Sequence, residues 1–192
     1  MKRLLITGFD PFGGETINPA WEAVKLLPET IEGYVLCKLE IPTVYGAGAQ
    51  RVLEKAREIN PHVILCIGQA GGRNAVTPER VAINMRDARI DDNAGNRPGE
   101  EPVVPGAPVA YFATVPVKAM AEAIIAAGLP GAVSNTAGTF VCNDVLYTLL
   151  HAFKDTDVRV GFIHVPYLPE QGTPSLPLKD TVAALYAAIK VL

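Results

Sequence analysis

Three cysteines and three histidines are the side chains of this sequence best suited to nucleophilic chemistry. A thiol beside an imidazole can attack a carbonyl carbon while the imidazole carries the proton. Cys66 lies inside the apolar run Val63-Ile64-Leu65-Cys66-Ile67, and Cys37 inside the strand-like segment 34–41. In such runs cysteine behaves as a small buried hydrophobe. Cys142 differs, because it follows the turn-rich stretch Asn135-Thr136-Ala137-Gly138-Thr139 and falls in the first turn of the next helical pattern. Backbone N–H groups are unpaired there and the helix dipole favours negative charge, so the position suits both a thiolate and an oxyanion.

The histidines separate by placement. His151 is nine residues beyond Cys142 on the same helical pattern, a rise of about 13 Å. It cannot meet the thiol and reads as a helix-surface or C-terminal dipole partner. His62 precedes its strand and so belongs to the amino edge of a sheet. His164 closes the run 158–165 just before Pro166, which places it at the carboxyl edge with Cys142. Such a pair gains from a third group that orients the imidazole. Glu79, Asp87, Asp91, Asp92 and Asp10 are all candidates, and spacing does not choose among them. Glu79 by itself reads better as a surface acid paired with Arg80.

Alternating strand and helix patterns must position these groups. Strands are expected at 2–7, 34–41, 63–67, 80–84, 131–134 and 158–165. Helices are expected over 18–27, opened by Asn18-Pro19, and over 43–59, stopped by Asn60-Pro61. Further helices are expected at 117–127, 140–152 and from 178 to the end. Residues 91–108 are rich in Gly, Pro, Asp and Asn and predict a long loop or irregular hairpin. The order predicts an α/β fold, a single-domain α/β/α sandwich around a mostly parallel twisted sheet over 1–192. Ligands of such sheets bind beyond the carboxyl ends of the strands. Two glycine clusters follow strands there, Gly8 to Gly14 and Gly68 to Gly72, and neither has dinucleotide or P-loop spacing.

Composition narrows the partners. The chain has 192 residues, 49% hydrophobic and 19% charged, with a net charge of −3. Lys and Arg form no cluster of the kind that phosphate backbones require, so no nucleic acid partner is expected. No apolar stretch approaches membrane-spanning length, and the run Leu4-Leu5-Ile6 breaks at Thr7-Gly8, too early for a signal peptide. A cytoplasmic location and no membrane partner are the expectation. An odd cysteine count with wide spacing argues against a disulfide framework, and no Cys-x-x-Cys or His-x-x-x-His spacing suggests a metal.

The segment Thr139-Phe140-Val141-Cys142-Asn143-Asp144, with its surroundings from 134 to 147, resembles the cysteine signature of pyroglutamyl peptidase I. Gly68 to Gly71 with Val76-Thr77-Pro78-Glu79-Arg80 resembles the glutamate signature of the same family. The opening Thr7-Gly8-Phe9-Asp10-Pro11-Phe12 and the segment His164-Val165-Pro166-Tyr167 fit as well. The resemblance implies a cysteine exopeptidase that hydrolyses the amide after an N-terminal pyroglutamyl residue through a thioester. It implies Cys142 as nucleophile, His164 as base and acid, and Glu79 as the residue that orients His164. It places Arg89 near the oxyanion and Phe9, Phe12, Gln69, Phe140 and Val141 around the substrate. It implies no metal, no organic cofactor and a homotetramer. A nucleoside phosphorylase-like transferase and a non-catalytic small-molecule binding module are the alternatives, both compatible with glycine-rich strand ends in an α/β sandwich.

Overall fold

Three apolar runs form the centre of the molecule because their residues alternate between two buried faces. The computed structural model describes residues 1–192, with strands β1 (Lys2–Phe9), β2 (Thr30–Ile31), β3 (Tyr34–Ile41), β4 (Val63–Gln69), β5 (Thr77–Pro78), β6 (Val81–Ile83), β7 (Ala110–Phe112) and β8 (Arg159–Val165). The helices are α1 (Pro19–Leu26), α2 (Ala47–Ile59), α3 (Val117–Ala126), α4 (Val141–Phe153) and α5 (Leu178–Ile189). The main sheet runs β2-β3-β1-β4-β8-β5, parallel except at its two-residue edge strands. Leu4, Ile6, Leu65 and Ile163 join one core with α1, α3 and α5, while Leu5, Ile64, Cys66 and Phe162 join the other with α2 and α4. Burial on both faces is why these strands read as continuous apolar runs rather than as alternating ones. The expected α/β/α sandwich is therefore present.

Local differences from the expected elements have identifiable causes. The second helix starts at Ala47 rather than at 43, because Gly46 has φ +71° and the preceding N–H groups have other acceptors. Thr43 N donates to Asp10 Oδ1 at 2.7 Å, Tyr45 N to Asp92 Oδ2 at 2.9 Å and Gly46 N to Asp144 Oδ2 at 2.9 Å. Residues 131–134 make only isolated bridges, Val76 with Gly131 and Glu79 with Ser134, instead of the expected strand. Hydrogen bonds Val76 N→Pro130 O, Ala132 N→Val76 O, Ser134 N→Pro78 O and Arg80 N→Ser134 O trace a parallel ladder. Its missing rung is Pro78, which has no N–H to give. Strand β7 was not expected, and it pairs antiparallel with β6. Residues 91–108 form the irregular hairpin, tied by Arg86 and Glu101 exchanging backbone bonds and by Asp92 accepting from Ala94 N and Asn96 N. No helix is long and apolar enough to cross a membrane.

Candidate active site

Strand register and side-chain parity bring the reactive groups together. In β8, His164 shares parity with Val160 and Phe162, so its ring points to the face covered by α4. Its neighbour across the parallel pair is Gly68 of β4. A Cβ on Gly68 would lie 2.9 Å from Cys142 Sγ and 2.7 Å from Phe162 Cζ. The sulfur thus occupies the space that a side chain at 68 would take, directly beside the strand position of His164. We expect Gly68→Ala to displace Sγ and lower kcat/KM about 100-fold, the usual cost of misplacing a reacting atom by about 1 Å. An unchanged kcat/KM in a folded variant would contradict this placement.

Cys142 is the second residue of α4, whose start carries no side-chain cap. The first helical hydrogen bond is Asp144 N to Phe140 O, so the N–H groups of Val141, Cys142 and Asn143 have no backbone acceptor and none on another residue, and the Cys142 N–H faces its own sulfur. Helix α4 is anchored by Asn143, which donates to Ile83 O and Met85 O, and by Asp144, which accepts from Arg86 Nε at 2.6 Å. Both side chains are fully buried.

His164 Nδ1 lies 2.7 Å from Glu79 Oε1. The same oxygen accepts from an Arg73 guanidinium nitrogen at 2.6 Å, and that nitrogen also reaches Thr77 Oγ1 at 2.6 Å. Arg73 further donates to Thr136 O at 2.9 Å. A carboxylate can only accept, so Nδ1 carries the hydrogen in the neutral imidazole and Nε2 keeps a free lone pair. Glu79 reaches the histidine because β5 runs antiparallel to β8: Thr77 stands opposite His164, and Glu79 N donates to Phe162 O. Position 79 therefore lies on the face of 162 and 164. The other carboxylate oxygen, Oε2, is buried without a protein partner.

Burial dominates the electrostatics. It pushes the Cys142 thiol up to about 12, the Glu79 carboxylate and Cys66 add to the rise, and Arg73 and the residue's own N–H oppose it. Burial also lowers the His164 pKa, against the hydrogen bond and charge of Glu79, which raise it, and with the help of Arg73. Burial alone would raise Glu79. Its bond and charge to His164, the Ser134 hydroxyl and Arg73 bring it below the ordinary carboxylate range instead, although the Ser134 hydroxyl donates to Thr136 O at 3.0 Å in this arrangement. Both shifts run in the direction that favours the neutral thiol and the neutral imidazole, against the free N–H groups at the start of α4, which favour the thiolate.

Cys142 and His164 line an inner cavity of about 280 Å³ together with Phe9, Phe12, Gln69 and Phe140. It opens on an outer lobe of about 560 Å³, which shares Phe12, Gln69 and Phe140 and adds Asp87, Arg89 and Tyr167. Arg89 is exposed and sits in the outer lobe, whereas the cation of the inner lobe is Arg73. The Val141 side chain points into the core, so only its backbone faces the site. Phe12 and Phe140 meet at a tilt of 38° with ring centroids 6.0 Å apart, and Tyr45 meets Phe140 edge-on at 5.5 Å. Of the other acids weighed, Asp10 and Asp92 accept backbone N–H groups, Asp91 pairs with Arg97 and Asp87 is exposed. His151 bonds Tyr111 Oη at 2.8 Å and His62 accepts from Arg3 N, both away from the cavity.

The inner lobe also contains Asn18, Thr43 and Arg73, which sequence reasoning did not single out. In the sequence Asn18 reads only as a helix cap, and its Oδ1 does accept from Ala20 N at 3.0 Å. Its Nδ2 donates to Asp10 O at 3.0 Å, and Thr43 Oγ1 donates to the same oxygen at 3.2 Å. No group of three or more His, Cys, Asp or Glu side chains is arranged to hold a metal ion.

A family model described as pyroglutamyl peptidase matches residues 2–192. The chain belongs to the pyroglutamyl peptidase family. Within it, the chain is 54% identical to the pyrrolidone-carboxylate peptidase of Levilactobacillus brevis, with 99% of this chain and 97% of that protein covered. It is 53% identical to the enzyme of that name from Clostridium perfringens, covering 99% and 92%. The crystal structure of Bacillus amyloliquefaciens pyroglutamyl peptidase I superposes with a TM-score of 0.96 at 45% identity, covering 100% of this chain and 96% of that one. Pyrrolidone carboxyl peptidase from Thermococcus litoralis gives 0.95 at 35% identity, covering 100% and 93%. Membership in the pyroglutamyl peptidase family sets aside the transferase and binding-module alternatives.

Proposed function

We propose that this chain hydrolyses the amide after an N-terminal pyroglutamyl residue of peptides, with Cys142, His164 and Glu79 acting as a triad. The observation that carries the proposal is a small cavity in which a thiol and an imidazole meet phenyl rings and amide or hydroxyl groups, and which no carboxylate lines. Pyroglutamate is a neutral lactam without a free α-amine, so it needs an apolar slot, hydrogen-bond partners and no counter-ion.

His164 Nε2 takes the thiol proton as Sγ attacks the carbonyl carbon. Charge then develops on the carbonyl oxygen, and the free N–H groups at the start of α4 are its donors. The family resemblance assigns Arg89, which lines the outer lobe, to the same oxyanion. His164 next protonates the leaving amine, which departs through the outer lobe. Water, deprotonated by the same nitrogen, hydrolyses the thioester and returns the proton to sulfur. Glu79 keeps the ring in the Nδ1–H tautomer and stabilises the imidazolium that forms in each half-reaction.

A fluorogenic pyroglutamyl amide, a prolyl amide of the same amine and the Cys142→Ala variant form the test. Release from the first substrate should exceed that from the second by at least about 10³-fold, because the site's polar groups are left unpaired by a ring lacking the carbonyl. No release by folded, reduced protein would sink the proposal.

The proposal includes a cytoplasmic homotetramer. Val109 and Phe112 beside the β6–β7 hairpin are 86% and 72% exposed, which supports assembly of copies through that apolar surface. Light scattering on purified protein should give four times the chain mass, and a monomer mass at micromolar concentration would remove this part.

A further inference from the structure

Gln69, which lines both lobes of the cavity, is held by a residue outside it. Leu168 N, a backbone group that can only donate, bonds Gln171 Oε1 at 3.0 Å. Ile17 O, which can only accept, lies 3.5 Å from Gln171 Nε2. Both contacts set the same orientation of the Gln171 amide, independent of how its nitrogen and oxygen are assigned. Gln171 Nε2 then donates to Gln69 Oε1 at 3.0 Å. Gln69 must present its oxygen to that donor, so its Nε2, which has no acceptor within the chain, is the end left for the cavity.

We infer that Gln171 is a positioning residue for substrate specificity: it fixes the polarity of Gln69, so that Gln69 offers an N–H donor to the lactam carbonyl. The inference rests on the pyroglutamyl reading above. A free glutamine presents either end of its amide. Here two backbone groups on separate segments, the turn after β8 and the loop before α1, orient the first amide and through it the second. The direction of the relay matches a ligand with a carbonyl on its ring. A ring with a donor at that position would meet another donor.

The Gln171→Glu variant tests the polarity alone. The carboxylate still accepts from Leu168 N, which keeps the turn tethered, but it has no hydrogen for Gln69. Gln69 then turns its NH₂ to the carboxylate and its oxygen to the cavity. With a pyroglutamyl amide we expect KM to rise about 10- to 100-fold with kcat within about threefold, the pattern of lost ground-state binding. Gln171→Leu frees Gln69 to adopt either orientation, and its KM should rise less. A KM within twofold of wild type in Gln171→Glu overturns the inference. An equal rise in both variants also overturns it, by reducing Gln171 to a tether. Should Gln171→Glu fail to fold by thermal melting, Gln69→Glu keeps the bond from Gln171 and removes only the donor; it should show the same rise in KM, and a normal KM overturns the inference. Inactive wild-type protein would remove the functional reading itself, which separates the two failures.

Discussion

Replacing Cys142 with alanine should lower kcat on a pyroglutamyl amide by about 10⁴- to 10⁶-fold, the range seen when a nucleophile acting with a base is deleted. The fold should persist. Cys142 is half-buried against the core cluster that includes Phe162, with its sulfur beside Gly68 and no hydrogen bond to another residue's side chain, so its loss should cost on the order of 1 kcal/mol. The measurement is a pair of numbers, single-turnover rate and melting temperature, for wild type and variant. Cys37→Ala is the control, since Cys37 sits on β3 opposite Leu5 and away from the cavity. Cys66 is wholly buried, and burial raises its thiol to about 12. Substantial turnover by the Cys142 variant would place the nucleophile elsewhere.

The second large effect is expected at Glu79, and its size follows from Arg73. Asparagine in place of the triad aspartate of a serine peptidase costs about 10⁴-fold because the amide forces the wrong histidine tautomer. In Glu79→Gln that inversion is blocked, because Arg73 donates to the very oxygen that His164 uses and can tolerate only an acceptor there. The tautomer stays and only the negative charge is lost, so kcat should fall about 10²- to 10³-fold. The pH dependence gives a second reading. His164 must be neutral to act as base, and its pKa lies below the ordinary imidazole value, so the acid limb of kcat/KM in wild type should fall below about pH 6.5. Glu79 raises that pKa while Arg73 lowers it. Removing the carboxylate should therefore move the limb further toward acid. A shift toward alkaline pH, or a loss of 10⁴-fold or more, would contradict this account of the pair.

Much of this arrangement was legible in the sequence because it depends on local signals. The run 63–67 and the run 158–165 predicted buried parallel strands, Asn18-Pro19 predicted the start of α1, and the turn-rich approach to Cys142 predicted a helix opening beneath a nucleophile. His164 was separable from His62 and His151 by its place at a strand's carboxyl end. What stayed hidden depends on non-local pairing. Glu79 reaches His164 through a two-residue antiparallel strand that has no periodicity to detect. The segment 131–134 reads as a strand, yet the proline opposite it removes one rung of the ladder. Arg73 and Gln171 act through side chains on loops, where neither spacing nor apolar pattern reports a partner. The acidic anchors of residues 43–46 come from three distant segments, which is why a clean helical pattern overran the true start of α2.

Parity along β8 also limits how this chain could change length. A single residue inserted between Arg159 and Phe162 would turn the imidazole toward the opposite core, and carry Phe162 with it. Two inserted residues would restore the face but advance the ring by about 6–7 Å, past Gly68 and beyond the sulfur. Neither insertion nor deletion is tolerable there. The hairpin spanning 91–108 contributes no side chain to the inner cavity. Drift in length belongs to that hairpin, while β8 must be inherited residue for residue.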